Sequence, residues 1–180
     1  MDQKLLEKKL DTKEIYHGKI LNVLVDDVLL PNGKKSTREL IRHCKASAVL
    51  AFDDNGNVIL EDQFRYPYNT VITEIPAGKA DGDEDPLVTA KRELLEETGY
   101  EANDIALLGE FYPSVAYTDE VIYLYEAHSL KKKEQHLDAD ESLSFYFKSF
   151  EEFKRMVSEG KIKDGKTLAA LAYYLLKRAM

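Results

Sequence analysis

Apolar and polar positions along this chain follow two rhythms. Lys19 to Leu30 and Ser36 to His43 are strand-like, and the Pro31-Asn32-Gly33 turn between them predicts an antiparallel pair. The first fifteen residues are charged and helix-tolerant. Ala46 to Phe52 (ASAVLAF), the turn Asp53-Asp54-Asn55-Gly56 and Val58 to Phe64 (VILEDQF) predict the central hairpin of a mixed sheet. Ala106 to Tyr112 and Glu120 to His128 are two further strand-like runs. The helical rhythm is clearest from Pro86 to Thr98, with Asp85 as N-cap, Pro86 at the first helical position and Gly99 as the stop. Ser149-Phe150-Glu151-Glu152 is a capping box, followed by the stripe Phe150, Phe153, Val157. The last helix is expected from near Asp164, burying Leu168, Leu171 and Leu175. Strands, helix, strands, helix, helix predict an α/β/α sandwich with a mixed central sheet, not a doubly wound parallel sheet. The domain expected at residues 45–180 is preceded by a small antiparallel strand unit, residues 1–44.

Composition narrows the classes of function. With 180 residues, 44% hydrophobic and 32% charged, the chain can bury a core of one domain plus an appendage. A net charge of -8 argues against a nucleic-acid partner, since backbone binding needs clustered Lys and Arg. An anionic substrate would then need metal ions or a few placed arginines. The single cysteine, Cys44, excludes an internal disulfide and a multi-cysteine zinc site and carries no cue for activation. None of His17, His43, His128 and His136 stands at metal-ligand spacing with another. There is no apolar run near 18 residues and no apolar core behind the charged start, so no membrane partner and a cytoplasmic location are expected.

The chemistry sits in Gly78 to Tyr100, GKADGDEDPLVTAKRELLEETGY. On the predicted helix Glu93, Glu96 and Glu97 stand at i, i+3 and i+4, with Arg92 beside them and Leu87, Ala90, Leu94 and Leu95 opposite. Three neighbouring carboxylates repel one another, and a divalent cation bound by hard oxygen relieves that. Taken alone, the helix is better read as a solvated acidic face, common on surface helices. The loop before it decides: Gly78 and Gly82 bracket an acidic turn, and Glu84 adds a carboxylate.

Gly78, Glu84, Arg92, Glu93, Leu94, Glu96, Glu97 and Gly99 resemble the Nudix box, departing only at Tyr100, where the family usually has an aliphatic residue. The resemblance implies that Glu93 and Glu97 bind metal with help from Glu96 and from the backbone carbonyl of Ala77. Mg2+, or Mn2+ in its place, is the implied cofactor. It casts Arg92 as the residue that orients these carboxylates and Glu84 as their outer partner.

Beyond the box, roughly residues 16 to 175 resemble the ADP-ribose pyrophosphatase group. The segments that carry this are Arg38-Glu39, Asp62-Gln63-Phe64-Arg65, Thr73-Glu74-Ile75-Pro76-Ala77-Gly78, Phe111-Tyr112-Pro113-Ser114 and Asp119-Glu120. The group implies a homodimer with swapped N-terminal units, Arg38 and Arg65 on phosphate or ribose, and Tyr16 on the nucleobase. It places the general base in a loop after the box, where Glu141 matches, with Asp138 and Asp140 as alternatives. Ser114-Val115-Ala116 departs from the group's Ser-Pro-Gly, which keeps GDP-mannose and other nucleotide sugars open beside ADP-ribose. Two other functions are weighed. A housecleaning hydrolase of nucleoside triphosphates is disfavoured by the strand unit before residue 45, and a nucleotide-sensing module by the intact charged positions of the box.

Overall fold

The computed structural model describes residues 3–137 and 142–179. They fall into two units, Met1–Cys44 with Ser114–Glu120, and Lys45–Pro113 with Val121–Met180.

In the first unit, β1 (Lys8–His17), β2 (Asn22–Leu29) and β3 (Lys35–Arg42) form an antiparallel sheet in that order. Gly33 makes the expected turn between β2 and β3, with a φ of 81° that a side chain rarely tolerates. β1 corrects the reading of the first fifteen residues as helix-tolerant. Its register with β2, Lys9↔Val28 to His17↔Asn22, supplies the backbone hydrogen bonds that a helix would otherwise make. Charged side chains on an edge strand also discourage pairing with a further chain. Residues 114–120 are held beside β3: Ile41 N–H donates to Tyr117 O (2.7 Å), and Asp119 N–H to Ile41 O (3.3 Å). Asp119 in turn accepts from the Arg42 guanidinium (2.7 Å) and from His43 N–H (2.8 Å).

The second unit contains β4 (Ala46–Ala51), β5 (Asn57–Arg65), β6 (Thr70–Glu74), β7 (Ala77–Lys79), α1 (Pro86–Thr98) and β8 (Tyr100–Phe111). They are followed by β9 (Ile122–Lys132), β10 (Leu143–Ser149), α2 (Phe150–Ser158) and α3 (Gly165–Ala179). One sheet runs β7-β4-β9-β8 and is mixed, because β4 and β9 pair in parallel. The other runs β10-β5-β6. The central hairpin expected from β4 and β5 does not form. The Asp53–Gly56 turn is present, but a single bridge, Phe52↔Val58, joins the two strands before they part. A strand has only two edges, and β4 gives both to β7 and β9 while β5 gives both to β10 and β6.

Helices cover β4 on both faces, which is why all six of its residues are buried. Val49 and Ala51 pack with Ala90 and Leu94 of α1. Ala48 and Leu50 pack with Phe153 of α2 and with Ala170 and Leu171 of α3. The expected α/β/α layering follows from this alternation. Ser149 caps α2, its Oγ accepting from Glu152 N–H at 3.2 Å. On α3 the buried stripe is Thr167, Ala170 and Leu171, while Leu168 and Leu175 are 36% and 42% exposed. Of the expected leucine stripe Leu171 is buried, while small Thr167 and Ala170 take the inward places expected of Leu168 and Leu175. No described helix is long and apolar enough to cross a membrane.

Candidate active site

Local chemistry sets the box helix. Asp85 Oδ1 accepts from Leu87 N–H at 2.9 Å, Pro86 occupies the first turn, and Gly99 closes the helix at φ 69° with its N–H on Leu95 O (2.8 Å). These borders direct Glu93 and Glu97 inward, leaving them 8% and 2% exposed. That burial argues against a merely solvated acidic face. Gly78, at the centre of β7, lets the helix come close. A Cβ there would lie 1.9 Å from the carboxyl carbon of Glu93.

Arg92 organises the cluster. Its Nη1 donates to Glu93 Oε1 and Glu96 Oε2, both at 2.9 Å. Nη2 donates to Glu84 Oε2 (2.9 Å) and Lys79 O (2.8 Å), and Nε to Glu84 Oε1 (3.3 Å). A guanidinium has five N–H donors in a rigid fork, and each finds an acceptor here. The hydrogen bond from Arg92, followed by that from Thr89, holds the Glu84 carboxyl down at about 2. Arg92 is correspondingly raised, first by its bond to Glu84 and then, against the opposing effect of burial, by the charge of Glu93.

The box gathers four carboxylates: Glu84 from the loop and Glu93 and Glu96 from the helix bond to Arg92, and Glu97 stands one turn beyond Glu93 on the same helix. Glu97 Oε2 also accepts from Ala77 N–H at 2.9 Å, so the contact the structure shows for Ala77 is through its amide. The donor set is all hard oxygen, partly buried and in excess of its countercharge. That suits a divalent cation. Among the described residues no three His, Cys, Asp or Glu side chains stand ready as a cage. In this structure the carboxylates turn towards Arg92 and the Ala77 amide.

The other residues singled out from sequence are scattered. Arg65, at the end of β5, is committed to Glu74, its Nε and Nη2 donating to the two carboxyl oxygens at 2.6 Å each. Arg38 lies on β3 in the first unit, where it pairs with Glu7 and donates to Thr37 O at 2.8 Å. Tyr16, on β1 of the same unit, is 58% exposed. Glu141, with Asp138 and Asp140, lies outside the described residues.

Sequence reasoning missed Lys166. This lysine reaches from the first turn of α3 to Glu74 and lies 3.2 Å from Asp164 Oδ1. Burial alone would raise Glu74, yet the hydrogen bond from Arg65 and the charge of Lys166 prevail and hold it below the usual range. One signal was available. A lysine in the first turn of a helix opposes the helix dipole and needs a local partner.

The site and its layers define a Nudix hydrolase: residues 42–171 match the NUDIX domain, and the chain belongs to that family. Residues 7–41 match the nucleoside diphosphate sugar hydrolase N-terminal domain. Over 176 residues the chain is 42% identical to the methanol dehydrogenase activator of Bacillus methanolicus, covering 97% of this chain and 95% of that one. It is 40% identical over 178 residues to the ADP-ribose pyrophosphatase of Bacillus subtilis (strain 168), covering 98% and 96%. Against the GDP-mannose pyrophosphatase of Yersinia enterocolitica it is 32% identical over 162 residues, covering 83% and 82%. The crystal structure of an ADP compounds hydrolase shares the fold, with a TM-score of 0.85 at 20% identity over 94% of this chain and 93% of that one.

Proposed function

We propose that this enzyme hydrolyses the pyrophosphate bond of a nucleoside-diphosphate sugar, with ADP-ribose as the substrate and AMP and ribose 5-phosphate as products. The observation that carries the reading is the carboxylate cluster held by Arg92, with every charged box position in place. Similarity to an ADP-ribose pyrophosphatase along nearly the whole chain supports the choice of sugar nucleotide.

In this reading Glu93, Glu96 and Glu97 hold Mg2+, or Mn2+ in its place, with the Ala77 carbonyl as a further oxygen. When bound, the metal shields the pyrophosphate charge and acidifies water. Arg92 keeps the carboxylates aimed before substrate arrives, so little reorganisation is left for the reaction. Water adds hydroxide to one phosphorus, the bridging oxygen leaves with the other phosphate, and the released proton passes to Glu141. Arg65 contacts a phosphate or the ribose. Arg38 and Tyr16 act from the N-terminal unit, within a cytoplasmic homodimer whose N-terminal units are exchanged.

The test is a comparison at equal magnesium of ADP-ribose, GDP-mannose and a nucleoside triphosphate, with products separated by chromatography. ADP-ribose is expected to give the highest kcat/KM. Preference for GDP-mannose would transfer the assignment to that sugar nucleotide, and preference for a triphosphate would overturn it.

The Bacillus methanolicus relative supports a second reading, in which the same hydrolysis activates an alcohol dehydrogenase. Adding the wild type and the Glu97→Gln protein to a methanol dehydrogenase assay tests it. Stimulation by the wild type alone is expected; no stimulation by either would remove this reading.

A further inference from the structure

The C-terminal turn of α1 is closed from outside the helix. An α-helix leaves its last carbonyls without partners of its own, and its negative end disfavours carboxylates nearby. Glu96 and Glu97 sit in that turn, and α1 has no basic residue there to offset the dipole. Leu95 O accepts from Gly99 N–H at 2.8 Å. The next two carbonyls are met by the segment that leaves β9. His136 N–H donates to Glu96 O at 3.1 Å, and the side-chain amide of Gln135 donates through Nε2 to Glu97 O. Lys133 N–H adds a bond to Gly99 O at 2.7 Å.

Sheet register brings the two together. β8 starts directly after Gly99, and its first residue, Tyr100, pairs with Lys132 at the end of β9. The residues after Lys132 therefore run past Gly99 and onto the end of the helix. A Cβ on Gly99 would lie 3.1 Å from Gln135 N and 3.3 Å from Lys133 O. The glycine that ends the box thus closes the turn and also leaves room for this segment.

At Glu97 the segment supplies a neutral donor. A Lys or Arg there would satisfy the carbonyl and complement the dipole, but its charge would weaken the attraction of the carboxylates for a cation. A primary amide bonds the carbonyl without adding charge. The cation next to hand, Lys133, is directed to Glu101, 3.3 Å away.

We infer that Gln135 is a positioning residue for the box: as a neutral cap it holds the last turn of α1 closed, which keeps the Glu96 and Glu97 carboxylates where one divalent cation can use both. The inference rests on the reading of these glutamates as metal ligands in a pyrophosphatase, and it gives a role to a residue outside the box.

Mn2+ titrated by calorimetry into substrate-free protein tests it. Gln135→Met keeps the side chain's length and removes the donor, and it should weaken Mn2+ binding at least about tenfold, as for other residues that orient metal ligands. Gln135 is exposed, so the substitution leaves the core intact. Gln135→Lys restores a donor and adds a charge; it should recover the wild-type Tm while Mn2+ affinity stays below that of the wild type. Unchanged Mn2+ affinity in Gln135→Met, even with a lowered Tm, would overturn the inference, as would wild-type affinity in Gln135→Lys. Because the titration contains no substrate, the two readings separate. Gln135-dependent Mn2+ binding by a wild type that cleaves no nucleotide sugar would uphold the positioning role and count against the hydrolytic reading. A wild type that does not bind Mn2+ would overturn both.

Discussion

Gly78 and Glu93 compete for one space: a Cβ on the glycine would fall 1.9 Å from the carboxyl carbon and 2.0 Å from an oxygen of the glutamate. The first glycine of the box therefore exists to admit a carboxylate, with no positive φ to explain it. Gly78→Ala should displace Glu93 and lower kcat by at least about tenfold, while overpacking costs about 1–3 kcal/mol of stability. Calorimetric melting beside steady-state kinetics checks this. An active Gly78→Ala enzyme would show that Glu93 is not needed where it stands.

Arg92→Lys keeps the charge and discards the fork. Five donors aimed at Glu84, Glu93, Glu96 and Lys79 O become one ammonium that cannot reach all four. Magnesium affinity and kcat should each fall roughly 10- to 100-fold, as for other residues that orient metal ligands. Titration of the metal into the variant reads the first effect separately from the second.

The depressed carboxyl of Glu84 makes an acid-side prediction. Its ordinary value of 4.5 falls to about 2, so its contribution to stability is fully present above 4.5 and is lost as pH falls towards 2. Glu74 and Asp119 are also lowered, so the wild type alone does not isolate Glu84. The difference in Tm between the wild type and Glu84→Gln should be constant from neutral pH down to about 5 and should shrink below it. A difference independent of pH would contradict the Arg92–Glu84 contact.

If Glu141 takes the proton, Glu141→Gln should lower kcat by roughly a hundredfold to ten-thousandfold with little change in metal affinity. A nearly silent Glu141→Gln beside a crippled Asp140→Asn would identify the neighbouring acid as the base.

Oligomeric state is the remaining test. Leu10, Ile15, Tyr16, Ile20 and Leu21 are all exposed along the first unit, an apolar surface well suited to a second copy. Light scattering at micromolar concentration should give twice 20.6 kDa, and a mass near 20.6 kDa would sink the dimer.

What was legible in the sequence is what local chemistry decides. Asp85, Pro86 and Gly99 bracket α1 at both ends, and the i, i+3, i+4 glutamates follow from its pitch. Edges are decided at a distance. Nothing within residues 46–64 tells that β4 prefers β7 and β9 to its neighbour β5. β1 was missed for a related reason: exposed at every position, it has no buried alternation to announce it. The Lys166–Glu74 pair spans 92 residues, beyond the reach of any spacing rule.

The grip of Ile41, Arg42 and His43 on residues 114–120 bears on how such a chain can be recombined. The N-terminal unit is discontinuous, so a crossover at residue 44 would carry away Arg42 and His43 and leave Asp119 behind without them. A chimera that borrows this unit must inherit both segments together. Sequence drift at Asp119 is accordingly constrained by residues about 77 positions upstream rather than by its own loop.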